Sequence, residues 1–511
     1  MEELKQKTKI EKKEVLELVS NIFVFCFIFL FCFSNIFTKT IGDLDEIWNY
    51  NFARNIVEGH IPYNDYNMIQ TPLLPFICAI FLKVIGNKLI TMRFLAVILH
   101  TFIFYIGYEI LKRYGKDKNL AIIIIIAIMV LSKELIALDY NYAVLLLTLI
   151  VLAVELKNKN NPKYFDYSFK YNFLLGILVG CTLLLKQTTG LIISIAFIGY
   201  KIFEVRSKQN FKEFLKIALT RLLGIILPVL LFMIYLIITK SFEGFISYCI
   251  LGIKEFKNAI EYKTLLGIKY IKILAIVLPI FMVFLFILQF IKKDKIYNIL
   301  FAYSLASFSV TFPISDKIHF IIGAYISLIS GSIFLIHFIN DSFESEKLRK
   351  MIFTFLTFVS VFLIILVGFK SLKKIYTDFI KVPKESELVF FEGIPENSGL
   401  KKRIIKIENY ILEKENEGKK VYILDAEAAI YYIPLNRYTK NYDMFLVGNL
   451  GKSGEDGIIE QINQEENAIY LMKRDEINWQ TPMKVRDYII DNFQLIDKIS
   501  IFDVYEMSKG E

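Results

Sequence analysis

Residues 222–238 read LLGIILPVLLFMIYLII and residues 121–131 read AIIIIIAIMVL, both without one charged side chain. A helix needs roughly 20 mostly apolar residues to cross about 30 Å of hydrocarbon, because it rises about 1.5 Å per residue. Similar apolar segments recur near 15–38, 89–111, 119–133, 140–156, 171–186, 188–204, 214–239, 265–291, 296–312, 318–338 and 351–370. They bring the 511-residue chain to 55% hydrophobic, above the roughly 45–50% of soluble domains. The expected fold is an α-helical polytopic membrane protein of about eleven spans.

A shorter apolar stretch, PLLPFICAIFLKVIG at 72–86, decides the orientation of everything after it. Suppose it does not span and the N-terminus, with Lys5, Lys7, Lys9, Lys12 and Lys13, is cytoplasmic. The clusters Lys112/Arg113/Lys116/Lys118, Lys157/Lys159/Lys163/Lys170, Arg206/Lys208/Lys212, Lys292/Lys293/Lys295 and Lys347/Arg349/Lys350 then all fall inside. That is what the positive-inside rule requires. If 72–86 spanned, the same clusters would lie outside, so it is read as an interfacial or re-entrant helix. The N-terminus is expected in the cytoplasm and the C-terminus outside, at the plasma membrane.

The formal charge of +9 is spread over these short loops, and nucleic-acid binding would need one clustered basic face. Cys26, Cys32, Cys78, Cys181 and Cys249 all sit in or beside apolar runs, so neither a disulfide framework nor a cysteine metal site is expected. The apolar run at 15–38 is too long for a signal-peptide core and lacks a small-residue cleavage site. It is expected to be an uncleaved first span.

Three hydrophilic regions face outward in this topology: the loop 39–71, the amphipathic stretch 240–264 and the tail 371–511. The tail is long enough to fold. Within it 421–426, 468–472 and 499–507 read as strands, and 479–493 reads as a helix with Pro482 in its first turn. A membrane portion, 1–370, is thus followed by a small extracytoplasmic α/β domain, 371–511. The glycine-rich GNLGKSGEDG (448–457) lacks the order of a phosphate-binding loop and reads as a surface loop.

Ionisable residues at the ends of apolar helices are costly and call for a reason. Asp45 and Glu46 open a helix over 43–59. Asp43 as N-cap with Glu46 three residues on makes a capping box, and Gly59 can end the helix. That accounts for Glu46 better than for Asp45. Asp139, in KELIALDYNY, either caps the helix starting at Tyr140 or binds substrate. Lys186, in CTLLLKQTTG, either snorkels or holds a phosphate. His319, in FPISDKIHF, is either structural or catalytic, and Tyr63, Asp65 and Tyr66 form a polar aromatic loop suited to sugar rings or to any bilayer interface. Divalent-cation binding stays open: Asp45, Glu46 and Asp139 have suitable oxygens, but no ligand spacing demands an ion.

These motifs come in a telling order: Asp-Glu after the first span, ARNIVEGHIPYNDY, TPLLPF, then a helix running on to Arg93. In that order they resemble the GT-C superfamily of membrane glycosyltransferases, in the branch of protein O-mannosyltransferases and aminoarabinose transferases. LLLKQTTG and FPISDKIHF match further outer-loop positions of bacterial members, so the resemblance covers residues 1 to about 340. It implies a GT-C-like fold, a polyprenyl-phosphate sugar donor and a glycan, lipid or protein acceptor outside the cytoplasm. It makes Asp45 the general base with Glu46 beside it, Asp139 a substrate contact and Lys186 a phosphate contact. Where the aminoarabinose branch often has Lys-Pro-Pro-Leu, this chain has Gln70-Thr71-Pro72-Leu73, which shifts the phosphate load to Lys186 or Arg93. The implied chemistry is a single inverting displacement. The rival class is a transporter or flippase, which would show repeated halves and broken helices near mid-membrane; neither is evident in the sequence.

Overall fold

The computed structural model describes residues 2–42, 44–133, 137–159, 168–205, 207–252, 260–292, 295–342, 346–384, 387–477 and 480–507. Helices occupy all eleven apolar segments: Glu2–Ile36, Leu89–Gly115, Lys118–Ser132, Tyr140–Asn158, Phe169–Leu185, Gln187–Gly199, Lys208–Ile238, Ile271–Lys292, Lys295–Phe308, Lys317–Ser342 and Glu346–Ile375. Seven helices of the described chain are long and apolar enough to cross a bilayer. The isoleucine-rich 121–131 would favour a strand in water. In hydrocarbon every backbone group must be satisfied within the segment, and the helix does that. The helix from Lys118 starts where Asp117 caps it, its Oδ1 accepting from the Leu120 amide at 3.0 Å. The stretch at 72–86 forms a 13-residue helix, Leu73–Ile85, about 20 Å long at 1.5 Å per residue and short of a bilayer core.

The chain divides into two compact units. One comprises 1–39, 93–136 and 328–382. In it Phe25 meets Tyr105 edge to face at 5.3 Å, and the Asn119 amide donates to Thr357 at 2.8 Å. Only 6% of the apolar window in Lys350–Ile380 is covered by protein, the exposure a lipid-facing helix requires.

The other unit comprises 40–92, 137–327 and 383–511. Here Phe169–Leu185 packs closely along Lys208–Ile238, because Gly176 faces Gly224. A Cβ on Gly176 would lie 2.9 Å from the Gly224 Cα, so the contact requires small residues. Beside it, buried Arg221 pairs with buried Glu155 at 2.7 Å and donates to Asn172 Oδ1 at 2.9 Å. A second cluster forms around Trp48, Phe52, Tyr63, Tyr66, Phe245 and Met444. It fastens helix Leu44–Val57 to the tail: Trp48 Nε1 donates to the Ala426 carbonyl at 2.7 Å, and Asn51 to Asp443 at 3.0 Å.

The tail carries one four-stranded sheet among the described residues. Its strands are β1 (Lys420–Leu424), β2 (Ala468–Lys473), β3 (Phe493–Ile499) and β4 (Phe502–Met507), in the order β1-β2-β4-β3. β1 and β2 are parallel, and the other pairs antiparallel. Two expectations change here. The segment 499–507 is not one strand: Ser500, at φ 51°, turns the chain between β3 and β4. β3 itself was not expected, because its residues 494–498 lie open on the sheet edge without an apolar face to betray them. The predicted helix contracts to Met483–Asn492, with Pro482 just before it.

Arg221→Met should cost about 3–5 kcal/mol, since it leaves the Glu155 carboxylate buried without its counter-charge. Adding Glu155→Leu should recover part of that loss. Thermal unfolding of the three proteins in detergent measures both steps.

Candidate active site

Asp45 and Glu46 lie in the first turn of Leu44–Val57, where carboxylates suit the positive end of the helix. Asp45 is half-buried and Glu46 buried. The N-cap expected at Asp43 lies outside the described residues. One turn on, buried Asn49 ties this helix to two other segments. Its amide nitrogen donates to the Asp45 carbonyl at 2.8 Å and the Leu138 carbonyl at 3.3 Å, and its oxygen accepts from Gln70 Nε2 at 3.3 Å.

Asp139, 4% exposed, caps the helix Tyr140–Asn158 by accepting from the Asn141 amide at 2.6 Å. The Asn141 side chain does a second job: its oxygen accepts from Lys186 Nζ at 2.6 Å. Lys186 stands in the break between Phe169–Leu185 and Gln187–Gly199, its ammonium 5.3 Å from the Tyr140 ring centre. The break is held to the outer loops by Gln187, which donates to the carbonyls of Ile69 at 3.1 Å and Cys249 at 3.0 Å, and by Thr71, which donates to the Leu183 carbonyl at 3.0 Å. Asp316 closes the group from the other side. Its Oδ1 accepts from the His319 amide at 2.8 Å and lies 3.0 Å from His319 Nδ1. A cavity of about 100 Å³ opens among Gln70, Tyr140, Lys186, Gln187, Phe312 and His319.

The electrostatics bind these residues into one site. Burial lowers Lys186 to about 8, against the opposing pull of Asp139, Asp45 and Asp316. Burial also raises Asp139, opposed by His319, Lys186 and the bonds from Asn141. Burial pushes Asp316 up as well, but the hydrogen bonds and charge of His319 outweigh it and hold Asp316 below its usual range. Of the sequence-expected residues, Asp45 and Asp139 thus act on Lys186, and His319 and Lys186 act on Asp139.

The remaining candidates sit elsewhere. Tyr63 is 1% exposed inside the aromatic cluster, its hydroxyl donating to the Gln70 carbonyl at 2.6 Å. Asp65 closes the turn of its own loop by accepting from the Ile61 amide at 2.7 Å. Arg93 belongs to the other compact unit, where it is buried and donates to the Lys39 carbonyl. Three residues of the site were not foreseen: Asp316, Asn49 and Asn141. Asp316 carried a signal, since an aspartate three residues before a histidine at a helix start is well placed to cap it. Among the described residues no three His, Cys, Asp or Glu side chains form a metal-binding group.

Residues 69–235 match the family described as dolichyl-phosphate-mannose-protein mannosyltransferase. Among solved structures the chain resembles apo ArnT from Cupriavidus metallidurans, at TM-score 0.52 and 11% identity over 97% of this chain and 98% of that one. It resembles the same enzyme bound to undecaprenyl phosphate at TM-score 0.52 and 10% identity, over 96% and 97%. The oligosaccharyltransferase of Archaeoglobus fulgidus tethered to an acceptor peptide aligns at TM-score 0.52 and 11% identity, over 89% of this chain and 69% of that one. No curated protein sequence matches the chain significantly. The fold is that of the GT-C membrane glycosyltransferases, and residues 69–235 carry the sequence likeness to the mannosyltransferase family.

Asn49→Leu keeps the branched heavy-atom outline but strands the Leu138 carbonyl and the Gln70 amide. Unpaired buried groups of this kind cost about 1–3 kcal/mol, so the melting temperature should fall while the far-ultraviolet helix signal at low temperature stays the same. An unchanged melting temperature would remove Asn49 as the tie between the two segments.

Proposed function

We propose that this protein transfers a sugar from a polyprenyl-phosphate donor to an acceptor hydroxyl on the outer face of the membrane, with Asp45 as general base. The observation that supports the reading is the convergence of three carboxylates, Asp45, Asp139 and Asp316, on Lys186, which lines one cavity with His319. The lysine distribution of the loops supports an extracytoplasmic site with the N-terminus inside. In this reading residues 1–370 form the transferase and 371–511 an external domain set over it.

The chemistry needs no covalent intermediate. The acceptor oxygen attacks the anomeric carbon while its proton passes to an Asp45 oxygen. The bond from that carbon to the phosphate oxygen breaks, and its electron pair leaves on the lipid phosphate. Attack opposite the leaving group inverts the anomeric centre. The donor is a phosphodiester with one negative charge, and the released monoester gains a second as the bond breaks. Lys186 is the cation placed to answer that charge, in a setting where burial strengthens the attraction. Asp139 and Asn141 hold Lys186 in place, and Asp316 orients His319 toward the cavity rim.

Asp45→Asn should lower sugar transfer from a labelled polyprenyl-phosphate-sugar panel by at least 10²-fold, the low end of general-base help, in protein that remains folded. Unchanged turnover would remove Asp45 from the chemistry.

The pH profile gives a separate check. Lys186 is protonated below about pH 8 and neutral above it. Its help with the donor is therefore present at low pH and lost as pH rises through that value. The kcat/KM for donor should fall above pH 8 in the wild type. In Lys186→Arg, which stays charged, any remaining activity should show no such fall.

A further inference from the structure

A polar pocket lies at the opposite end of the helix Tyr140–Asn158 from Lys186. Tyr140 lines the first cavity and Asn158 this one, so 19 residues, about 27 Å of helix, separate the two. That is close to the thickness of a hydrocarbon core, which puts them at opposite membrane faces. Three lysines meet in the pocket wall from three segments. Lys159 follows the last turn of Tyr140–Asn158, Lys201 stands in the short 3-10 helix Tyr200–Glu204, and Lys295 opens the helix Lys295–Phe308. The Asn298 amide donates to the Tyr200 carbonyl at 2.9 Å and ties the last two segments together. Tyr171 adds a hydroxyl to the same wall.

The carboxylate on this wall, Glu155, is already committed: it pairs with Arg221 and accepts from the Tyr200 hydroxyl. Three ammonium groups beside a neutralised carboxylate leave the wall positive. Ordinary reasons for a lysine explain only part of this. Lys159 suits the negative end of its helix. Lys295 stands at the positive end of its own, in a first turn with no acidic residue. Lys201 belongs to none of the loop clusters that set the topology, and it is only 9% exposed. A lysine that serves orientation alone has no need of burial. The pocket itself, of about 10 Å³, admits one oxygen-sized atom and is too small for a sugar ring or a nucleotide. Next to Lys201 the surface turns apolar: Ile202 and Phe203 are exposed, and Phe203 meets Phe286 and Phe290 edge to face at 6.4 and 6.2 Å.

We propose that this pocket binds the phosphate of an anionic membrane phospholipid. One phosphate oxygen enters among Lys159, Lys201 and Lys295, and the acyl chains run over Ile202 and Phe203 toward Phe286 and Phe290. In the orientation set by the loop lysines this is the inner leaflet, where basic pockets between membrane helices meet anionic headgroups. A phosphodiester is an anion that only accepts hydrogen bonds, and the lysines and Tyr171 can donate. Free phosphate would use the lysines but leave the apolar surface beside them uncovered. A zwitterionic headgroup would bring its own cation up to the three ammonium groups. The site takes no part in the transfer chemistry and does not rest on it.

Native mass spectrometry of the full-length protein in detergent, titrated with phosphatidylglycerol, phosphatidylcholine or glycerol phosphate, tests this. Phosphatidylglycerol should stay bound at concentrations where phosphatidylcholine is lost, and glycerol phosphate should not displace it. Lys201→Gln and Lys295→Gln should each weaken phosphatidylglycerol about fivefold, the effect of one basic residue at a membrane surface. Lys201→Arg should keep most of the affinity. Lys208→Gln removes an exposed charge from the same set of loop lysines and should leave the affinity unchanged. Far-ultraviolet helix signals of the variants guard against unfolding, and Lys295, partly exposed, gives the reading if Lys201→Gln does not fold. Equal loss in Lys208→Gln overturns the site, since the attraction would then belong to the whole face. Equal retention of phosphatidylcholine overturns it as well, as does undiminished binding in folded Lys295→Gln. Displacement by glycerol phosphate would make the ligand a free phosphate and overturn the lipid.

Discussion

Charge brought to the end of an apolar helix has to be answered there, because neither lipid nor helix backbone can solvate it. In this protein that constraint is met collectively. Asp139 is buried at the start of one helix and Lys186 in the break between two others, yet they do not pair directly. Asn141 stands between them, giving its amide to the aspartate and its side-chain oxygen to the lysine. Each charge is held by a neutral group and felt by the other through a short stretch of low dielectric. A lysine fully spent on a carboxylate would be a poor ligand for a phosphate. A lysine held by an amide oxygen keeps donors and charge in reserve.

The same logic runs outward into the loops. Lys186 is presented only if the break at 185–187 stays open toward the cavity, and the loops maintain it through Gln187 to Ile69 and Cys249, and through Thr71 to Leu183. Those loops are in turn nailed down by the aromatic cluster beneath Tyr63 and Tyr66, which approaches the backbone at Gly244 too closely for any side chain there. Tyr63 illustrates why residue type alone is a weak guide. An exposed tyrosine in an outer loop would suit sugar binding, but this one is core, and its hydroxyl is occupied by a carbonyl seven residues away.

What could be read in the sequence follows from what carries a visible penalty. Spans were legible because each needs a long apolar run. Asp139, Lys186 and His319 were legible because charge at the edge of such a run is conspicuous. Asn49 and Asn141 were not, since an amide draws no attention until its partners are known, and those lie 89 residues away in one case and 45 in the other. The sheet edge was lost for the opposite reason: β3 exposes most of its residues, so no alternation marks it. The family model covers residues 69–235, which leaves out Asp45 and His319. His319 joins the candidate site as a lining residue of its cavity, and Asp45 through its charge on Lys186.

The tail is the part whose role changes most once its contacts are seen. As a sequence it is an appended α/β domain that could do anything outside the membrane. In the structure it is bonded to three residues of the helix bearing Asp45, Trp48 to Ala426, Asn51 to Asp443 and Arg54 to Asn436, and to Asn67 in the loop that follows, through Asn449. A domain that merely covered a site could sit anywhere along the outer face. One that bonds to side chains of the helix next to Asp45 fixes where that carboxylate stands, so the tail acts on the membrane portion through the helix it holds.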